Sequence, residues 1–260
     1  MIDIHSHVLP GVDDGSKSLE ESVEICRRSA LSGTRILFAT PHIDTPQQFE
    51  SFAPNLDLLE GLQREINKLG IEITLMSGAE IFPSQHLIGA IDAGVPITLA
   101  NRSGHVLLGL PMSSIPLDFE HVAFELQARG LSVILAHPER LIPIQQDPSI
   151  LHNWVTKGML LQVNAGSLSG RYGHDAEVTA WVLLEHNWVH FVASDAHSSR
   201  GAHSLASAVQ RLKNRIPDED IERLTVKNGE CVVDGLQVPS NPLDFSPTKR
   251  KTLWSRIWNR

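Results

Sequence analysis

His5 and His7 are separated by one residue, a spacing that on an extended strand turns both imidazoles to one face and lets them grip a single ion. Asp195 and His197 repeat that spacing far downstream. Three further ligand-type residues each follow a short apolar run: His42 in Thr40-Pro41-His42, Glu80 in Gly78-Ala79-Glu80, and His137 in His137-Pro138-Glu139-Arg140. Asn164 closes another run with a weaker polar group. Taken singly, each could be a buried polar side chain satisfied by one hydrogen bond. Five run ends carrying ligands together point instead to a metal centre. A carboxylate such as Glu80 can bridge two ions, and mixed nitrogen and oxygen donors suit manganese, zinc or iron better than calcium or magnesium. Histidine is abundant to match, at 13 of 260 residues.

Other hydrolytic chemistries lack their residues. A cysteine phosphatase needs an arginine six positions after its thiol, and Ser32 and Gln237 stand there after Cys26 and Cys231. Leu168 takes the nucleophile's place in Gly166-Ser167-Leu168-Ser169-Gly170, and no Gly-rich loop ending in Lys-Ser or Lys-Thr occurs. Serine acyl transfer and nucleotide hydrolysis both lose support.

The ligands are set by an alternation of elements. Seven apolar, often β-branched runs, at 2–5, 35–40, 73–76, 105–108, 132–136, 159–163 and 190–193, predict buried strands. Segments 19–31, 54–69, 84–93, 117–129, 148–157, 174–187 and 203–214 have helical periodicity. Such alternation reads as βαβ units with a parallel sheet, in an open doubly wound or a barrel arrangement. Count and length favour a barrel, which puts functional groups at the C-terminal strand ends. The expected organisation is one domain over 1–240, followed by a Pro-containing linker and basic amphipathic tail over 241–260.

Composition bounds the setting. The net charge of −8 argues against a nucleic-acid partner, and the tail's +5 from Lys249, Arg250, Lys251, Arg256 and Arg260 leaves −13 on the rest. No apolar run approaches a bilayer span, the chain opens without a basic leader, and its two cysteines form no metal-type pair. A reducing cytoplasm is the expected home. In the tail, Leu253, Trp254, Ile257 and Trp258 recur at helical spacing among the basic residues. Peripheral membrane contact through residues 249–260 is one reading; a solubilising terminus, or one docked on the acidic body, is the other.

The order His5-x-His7, Asp14 within Gly11-Val12-Asp13-Asp14-Gly15, His42, Glu80, His137 and Asp195-x-His197 resembles the PHP (polymerase and histidinol phosphatase) superfamily. The phrases from Ile4 to Gly15, Ala39-Thr40-Pro41-His42, Leu135 to Arg140, Gln162-Val163-Asn164 and Ala193 to His197 look like its branch of bacterial capsule and exopolysaccharide protein-tyrosine phosphatases. The resemblance covers about residues 1–235. It implies a distorted (β/α)7 TIM-like barrel holding two or three divalent transition metals, manganese foremost. It would place His5, His7, Glu80 and Asp195 on one ion, Glu80 and His137 on a second, and Asp14, His42 and His197 on a third. Arg140 would contact phosphate, and Arg200 would be a second phosphate arginine, although it arrives about two residues early. Where relatives of this branch carry a metal-binding glutamate, this chain has Gly109; His105 lies on the same face but roughly 13 Å away along the strand.

The expected chemistry is hydrolysis of a phosphomonoester, phosphotyrosine first, by metal-activated hydroxide in line with the leaving oxygen, with Arg140 adding a bidentate grip. The resemblance implies a tyrosine kinase controlling capsule or exopolysaccharide synthesis as substrate, and homo-oligomers are compatible with it. Two alternatives stand beside this: a small-molecule phosphatase of the histidinol-phosphate type, and a metal-binding regulator weakened by Gly109.

Overall fold

The computed structural model describes residues 1–101, 104–199 and 204–245. Arg200 and the tail segment 249–260 therefore lie outside the described residues. Nine strands are present among them: β1 (Ile2–Asp3), β2 (Ile36–Ala39), β3 (His42–Ile43), β4 (Thr74–Ser77), β5 (Glu80–Ile81), β6 (His105–Leu108), β7 (Ser132–Ala136), β8 (Leu160–Asn164) and β9 (Val189–Ala193). All their pairings are parallel. Each expected apolar run contains a strand, and the two additional strands continue β2 and β4 beyond short breaks at Thr40-Pro41 and Gly78-Ala79. Pro41 has no N–H to give a ladder, which fits a break there.

Those breaks move the chain between sheets. β1, β2 and β4 form a three-stranded sheet in the order β1-β2-β4, and the second sheet runs β3-β5-β6-β7-β8-β9. His42 pairs with Glu80, and Glu80 with Leu107, so two of the expected ligands face their neighbours across adjacent strands. Beyond β1, Ser6 makes an isolated parallel bridge to Ala196. There the His7 amide donates to the Ala196 carbonyl at 2.9 Å, the Asp195 amide to the His5 carbonyl at 3.0 Å, and the Thr40 amide to the Ser6 carbonyl at 2.8 Å.

Helices occupy the connections as the periodicity predicts: Leu19–Leu31, Ala53–Lys68, Gln85–Asp92, Phe119–Ala128, Ile150–Thr156, His174–Glu185 and Leu205–Leu212. The first is capped by Ser18, whose extended backbone lets its hydroxyl accept the Glu21 amide. Because strands β6, β8 and β9 are buried along their whole length, and β7 from Val133 onward, they carry apolar residues on both faces. Ile4, Phe38, Leu107, Ile134, Leu160 and Phe191 form one apolar cluster, while Val106, Leu108, Val133, Leu135 and Val192 pack in another with helical residues such as Phe119, Leu126 and Trp181.

Among the described residues, α-helical stretches outside the periodic segments are Pro46–Glu50, Ile142–Gln146, and a run from Asp218 that passes through a π-helical turn at Arg223–Lys227 into Asn228–Asp234. That last run closes the end of the sheet away from the ligands. Gly229 meets Ile2, where a Cβ would come within 2.8 Å of the Ile2 side chain, and Asn228 donates to the His190 carbonyl at 2.7 Å. The register slips by one residue between β8 and β9; the His190 imidazole accepts the Leu161 amide at 3.1 Å and holds the irregularity together. The segment at 241–245, expected as the start of the linker, is held to the body: Trp188 Nε1 donates to the Leu243 carbonyl at 2.8 Å and Phe245 stacks on His186.

Candidate metal centre

The C-terminal continuations of the strands bring the ligand-type residues together. Four atoms converge: His5 Nε2 and His7 Nε2 are 3.2 Å apart, His5 Nε2 lies 3.2 Å from Glu80 Oε2 and 3.5 Å from Asp195 Oδ1, and His7 Nε2 lies 3.4 Å from each of those oxygens. All four side chains are buried. Beside them a second group forms, in which Asp14 Oδ1 lies 3.5 Å from His42 Nε2 and 3.3 Å from His197 Nε2, and the His7 and His197 rings stack with centroids 4.0 Å apart. His42 Nδ1 reaches Glu80 Oε2 at 3.2 Å, linking the groups. His137 holds the other Glu80 oxygen, Oε1, at 2.9 Å.

This arrangement suits cations. His5 Nδ1 sits 2.8 Å from Gln162 Oε1, and His7 Nδ1 sits 2.7 Å from Asp13 Oδ2. Each of those oxygens accepts a hydrogen bond, so in the neutral form each ring carries its proton on Nδ1 and turns its Nε2 lone pair inward. Asp195 Oδ1 is buried and has no hydrogen-bond donor. Burial alone would lower the pKa of His5 and His7, yet the surrounding carboxylates raise both. Burial opposes ionisation of Glu80 too, and the adjacent imidazoles nevertheless hold it well below the usual carboxylate range. Two donor groups each converge tightly enough to share an ion: His5, His7 and Glu80, and His7, Asp14, His42 and His197.

Neighbouring residues fix these ligands. Asn164 donates to Asp195 Oδ2 at 2.6 Å and itself accepts from Gln162 at 2.8 Å, so β8 orients both Asp195 and His5. Asp13 accepts the Gly15 and His42 amides as well as His7. Burial would raise its pKa, but these partners, His7 foremost, bring it down to about 2. Gly15 is required by close approach, since a Cβ there would overlap the backbone of His7. His137 and Asp195 both adopt left-handed backbone, with φ of 34° and 51°. Such conformations are costly for residues with side chains, and they turn these two into the site.

A cavity of about 500 Å³ opens above the ligands. Arg140 enters it with Nη1 3.1 Å from Asp195 Oδ2 and its guanidinium 4.1 Å from the centre of the Tyr172 ring. Glu139 does not pair with Arg140; it is buried, accepting from Ser167 at 2.6 Å and the Asn164 amide at 2.9 Å. Phe82, Pro111, Met112 and Arg171 complete the walls. Gly109 lies at the cavity floor against Glu80. His105 is distant from this chemistry: it is buried with neither ring nitrogen bonded, and burial pushes its pKa down to about 4. Cys26 is buried as well, its thiol pushed up to about 12, and takes no part.

Thus His5, His7, Asp14, His42, Glu80, His137, Asp195, His197 and Arg140 assemble within one site, and Arg200 lies outside the described residues. Asp13, Gln162, Arg171 and Tyr172 were not singled out by their spacing. Asp13 had a signal, a carboxylate beside Asp14 in a Gly-bounded turn. Gln162 lay within a phrase that carries the resemblance, whereas Arg171 and Tyr172 sit in a turn and gave none.

The family described as capsular polysaccharide synthesis, CpsB/CapC, matches residues 1–234. Tyrosine-protein phosphatase YwqE of Bacillus subtilis is 30% identical over 259 residues, covering 98% of this chain and 99% of that protein. A putative tyrosine-protein phosphatase CapC of Staphylococcus aureus is 32% identical over 237 residues, covering 90% and 91%. A solved structure from work on YwqE and Streptococcus pneumoniae CpsB, described as unique metal-dependent tyrosine phosphatases, superposes with a TM-score of 0.85 at 29% identity, covering 95% of this chain and all of that one.

Proposed function

Because the chain belongs to the CpsB/CapC family of capsular polysaccharide synthesis, we propose that it is a metal-dependent protein-tyrosine phosphatase. Its substrate is a phosphotyrosine protein, a tyrosine kinase that controls capsule or exopolysaccharide synthesis. The observation that carries this is the convergence of His5 Nε2, His7 Nε2, Glu80 Oε2 and Asp195 Oδ1 beneath a cavity into which Arg140 projects.

Divalent ions, manganese foremost with zinc or iron as alternatives, would supply Lewis acidity, lowering the pKa of water and neutralising phosphoryl oxygens. In this reading His5, His7, Glu80 and Asp195 hold one ion, and Asp14, His42 and His197 hold another. His137 steadies the far side of Glu80, and a third ion there would have only Glu80 and His137 for protein ligands. Gln162 and Asp13 keep the imidazoles in the tautomer that coordinates. Arg140 binds the phosphoryl group, exchanging one charge-assisted bond to Asp195 for those to substrate. A tyrosyl oxygen, with a parent pKa near 10, leaves without a strong general acid.

The strands are read as a distorted (β/α)7 barrel, a reading supported by the bonds that join residues 5–7 to 195–196 and Ser6 to Thr40. No helix among the described residues is long and apolar enough to cross a membrane. Turnover of a phosphotyrosine peptide, histidinol phosphate and a generic aryl phosphate, each with added manganese, tests the proposal. Preference for the peptide supports it. Preference for histidinol phosphate would move the chain to small-molecule chemistry, and no turnover of any, with metals bound, would leave a regulator.

A further inference from the structure

The cavity mouth is asymmetric in charge. Arg140, the inner arginine, is engaged, bonded to Asp195 and stacked on Tyr172. Arg171, the outer one, is exposed at the rim, its guanidinium 5.8 Å from the centre of the same ring. Among the described residues no carboxylate pairs with it. In a chain of net charge −8, a free arginine at the entrance of a cavity floored by acids is a conspicuous positive point.

The geometry divides the work. A phosphoryl group on the ligand floor reaches Arg140, and the aromatic ring attached to it lies along Tyr172, Phe82 and Met112. What then stands beside Arg171 is not phosphate but the polypeptide flanking the phosphotyrosine. Resting on the phosphatase reading above, we propose that Arg171 is a specificity-determining residue: with Tyr172 it forms a subsite for an acidic side chain, Asp or Glu, next to the phosphotyrosine of the substrate. Asp44, on the loop after β3, also lines the cavity and would repel an acid placed on its side. The subsite therefore favours acid on one flank only.

Because the pair is solvent-exposed, its contribution is modest. An exposed ion pair is worth about 0.2–1 kcal/mol, or roughly up to five-fold in affinity. The test uses the full-length, manganese-loaded protein and phosphotyrosine peptides carrying Glu, Ala or Lys at single flanking positions, with p-nitrophenyl phosphate as the small control. Non-hydrolysable phosphonate versions of the peptides, read by fluorescence anisotropy, report binding without turnover. The expected result is a three- to five-fold advantage of Glu over Lys at one flank, in KM and in anisotropy. Arg171→Ala should abolish it, Arg171→Lys should keep part of it, and turnover of p-nitrophenyl phosphate should change less than about two-fold.

A wild type indifferent to flanking charge, or an Arg171→Ala variant that keeps the preference, overturns the proposal. So does an equal loss on p-nitrophenyl phosphate, which would make Arg171 a phosphate ligand. Failure of the phosphatase reading shows separately, as absent turnover of every substrate, while anisotropy still reads the charge preference.

Discussion

The carboxylate of Glu80 fills the space beside Gly109 into which any side chain would grow: a Cβ there would overlap Oε1 and lie 2.9 Å from Cδ. Glu80 thus occupies the space that a side chain at 109 would need, and from there it reaches His137. Wild-type protein loaded with manganese should hold about two ions per chain, one for each tight donor group. Gly109→Ala should displace Glu80 without adding a donor, lowering stability by about 1–3 kcal/mol and reducing metal content. Gly109→Glu should displace it equally but raise the content by about one ion. Elemental analysis of dialysed samples decides; equal metal content in all three proteins would show that position 109 does not govern occupancy.

Among the described residues, Arg140 is the one arginine or lysine lining the cavity that bonds Asp195. Arg140→Ala should lower kcat/KM on an aryl phosphate by roughly 100-fold, the scale of losing a preorganised charged donor. Arg140→Lys should recover only a fraction, because a point charge lacks the planar fork and its stacking on Tyr172. Full recovery by lysine would argue for simple charge attraction.

Chelation should cost both activity and stability. Removing ions leaves buried carboxylates and imidazoles facing one another, and a bound ion stabilises the folded chain by mass action. Dialysis against EDTA should abolish turnover and lower the melting temperature, with manganese restoring both. The raised pKa of His5 and His7 in the metal-free site means protons compete with ions below and around neutrality. Apparent manganese affinity, measured by titration calorimetry, should therefore be weaker at pH 6 than at pH 8. Equal affinity at the two values would contradict the ligand assignment.

His105 supplies a prediction away from the site. Its folded pKa is about 4 against an ordinary 6.5, so the unfolded chain takes up a proton that the folded chain refuses. The resulting stability is present above about pH 6.5 and is lost as pH falls toward 4. His105→Leu removes two unbonded buried nitrogens at similar volume, and should stabilise the metal-free protein by about 1–3 kcal/mol at pH 7. The gap should widen by about 2 kcal/mol at pH 5. Urea melts at both values measure it, and a gap that does not change with pH would mean that His105 is not held neutral.

The residues that cluster were legible in the sequence because strand parity is a local property: His5 and His7, or Asp195 and His197, share a face whatever surrounds them. Seven strands were legible for the same reason, through apolar runs. What parity could not convey is which loop folds over which ligand. Asp13 reaches His7 only because Gly15 lets the turn press against the backbone of His7. Tyr172, in a turn after β8, meets Arg140, in a 3-10 turn after β7, a contact with no sequence period at all. The run from Asp218 to Asp234 was passed over because its contacts, such as Gly229 on Ile2, are tertiary, and its π-helical turn departs from the ordinary period.

The bond from the Ser194 amide to Asp3 spans 191 positions, and beside it the amide of Asp195 meets the carbonyl of His5. During synthesis at about 5–20 residues per second, the opening histidines emerge roughly 10–40 s before the strand that completes their site. Throughout that interval the first strand has no partner from the far end of the chain, and contacts of such long range form slowly. The nascent chain thus exposes paired imidazoles before any cage exists to select an ion for them. The donor set of the candidate metal centre is therefore completed only when the last strand arrives.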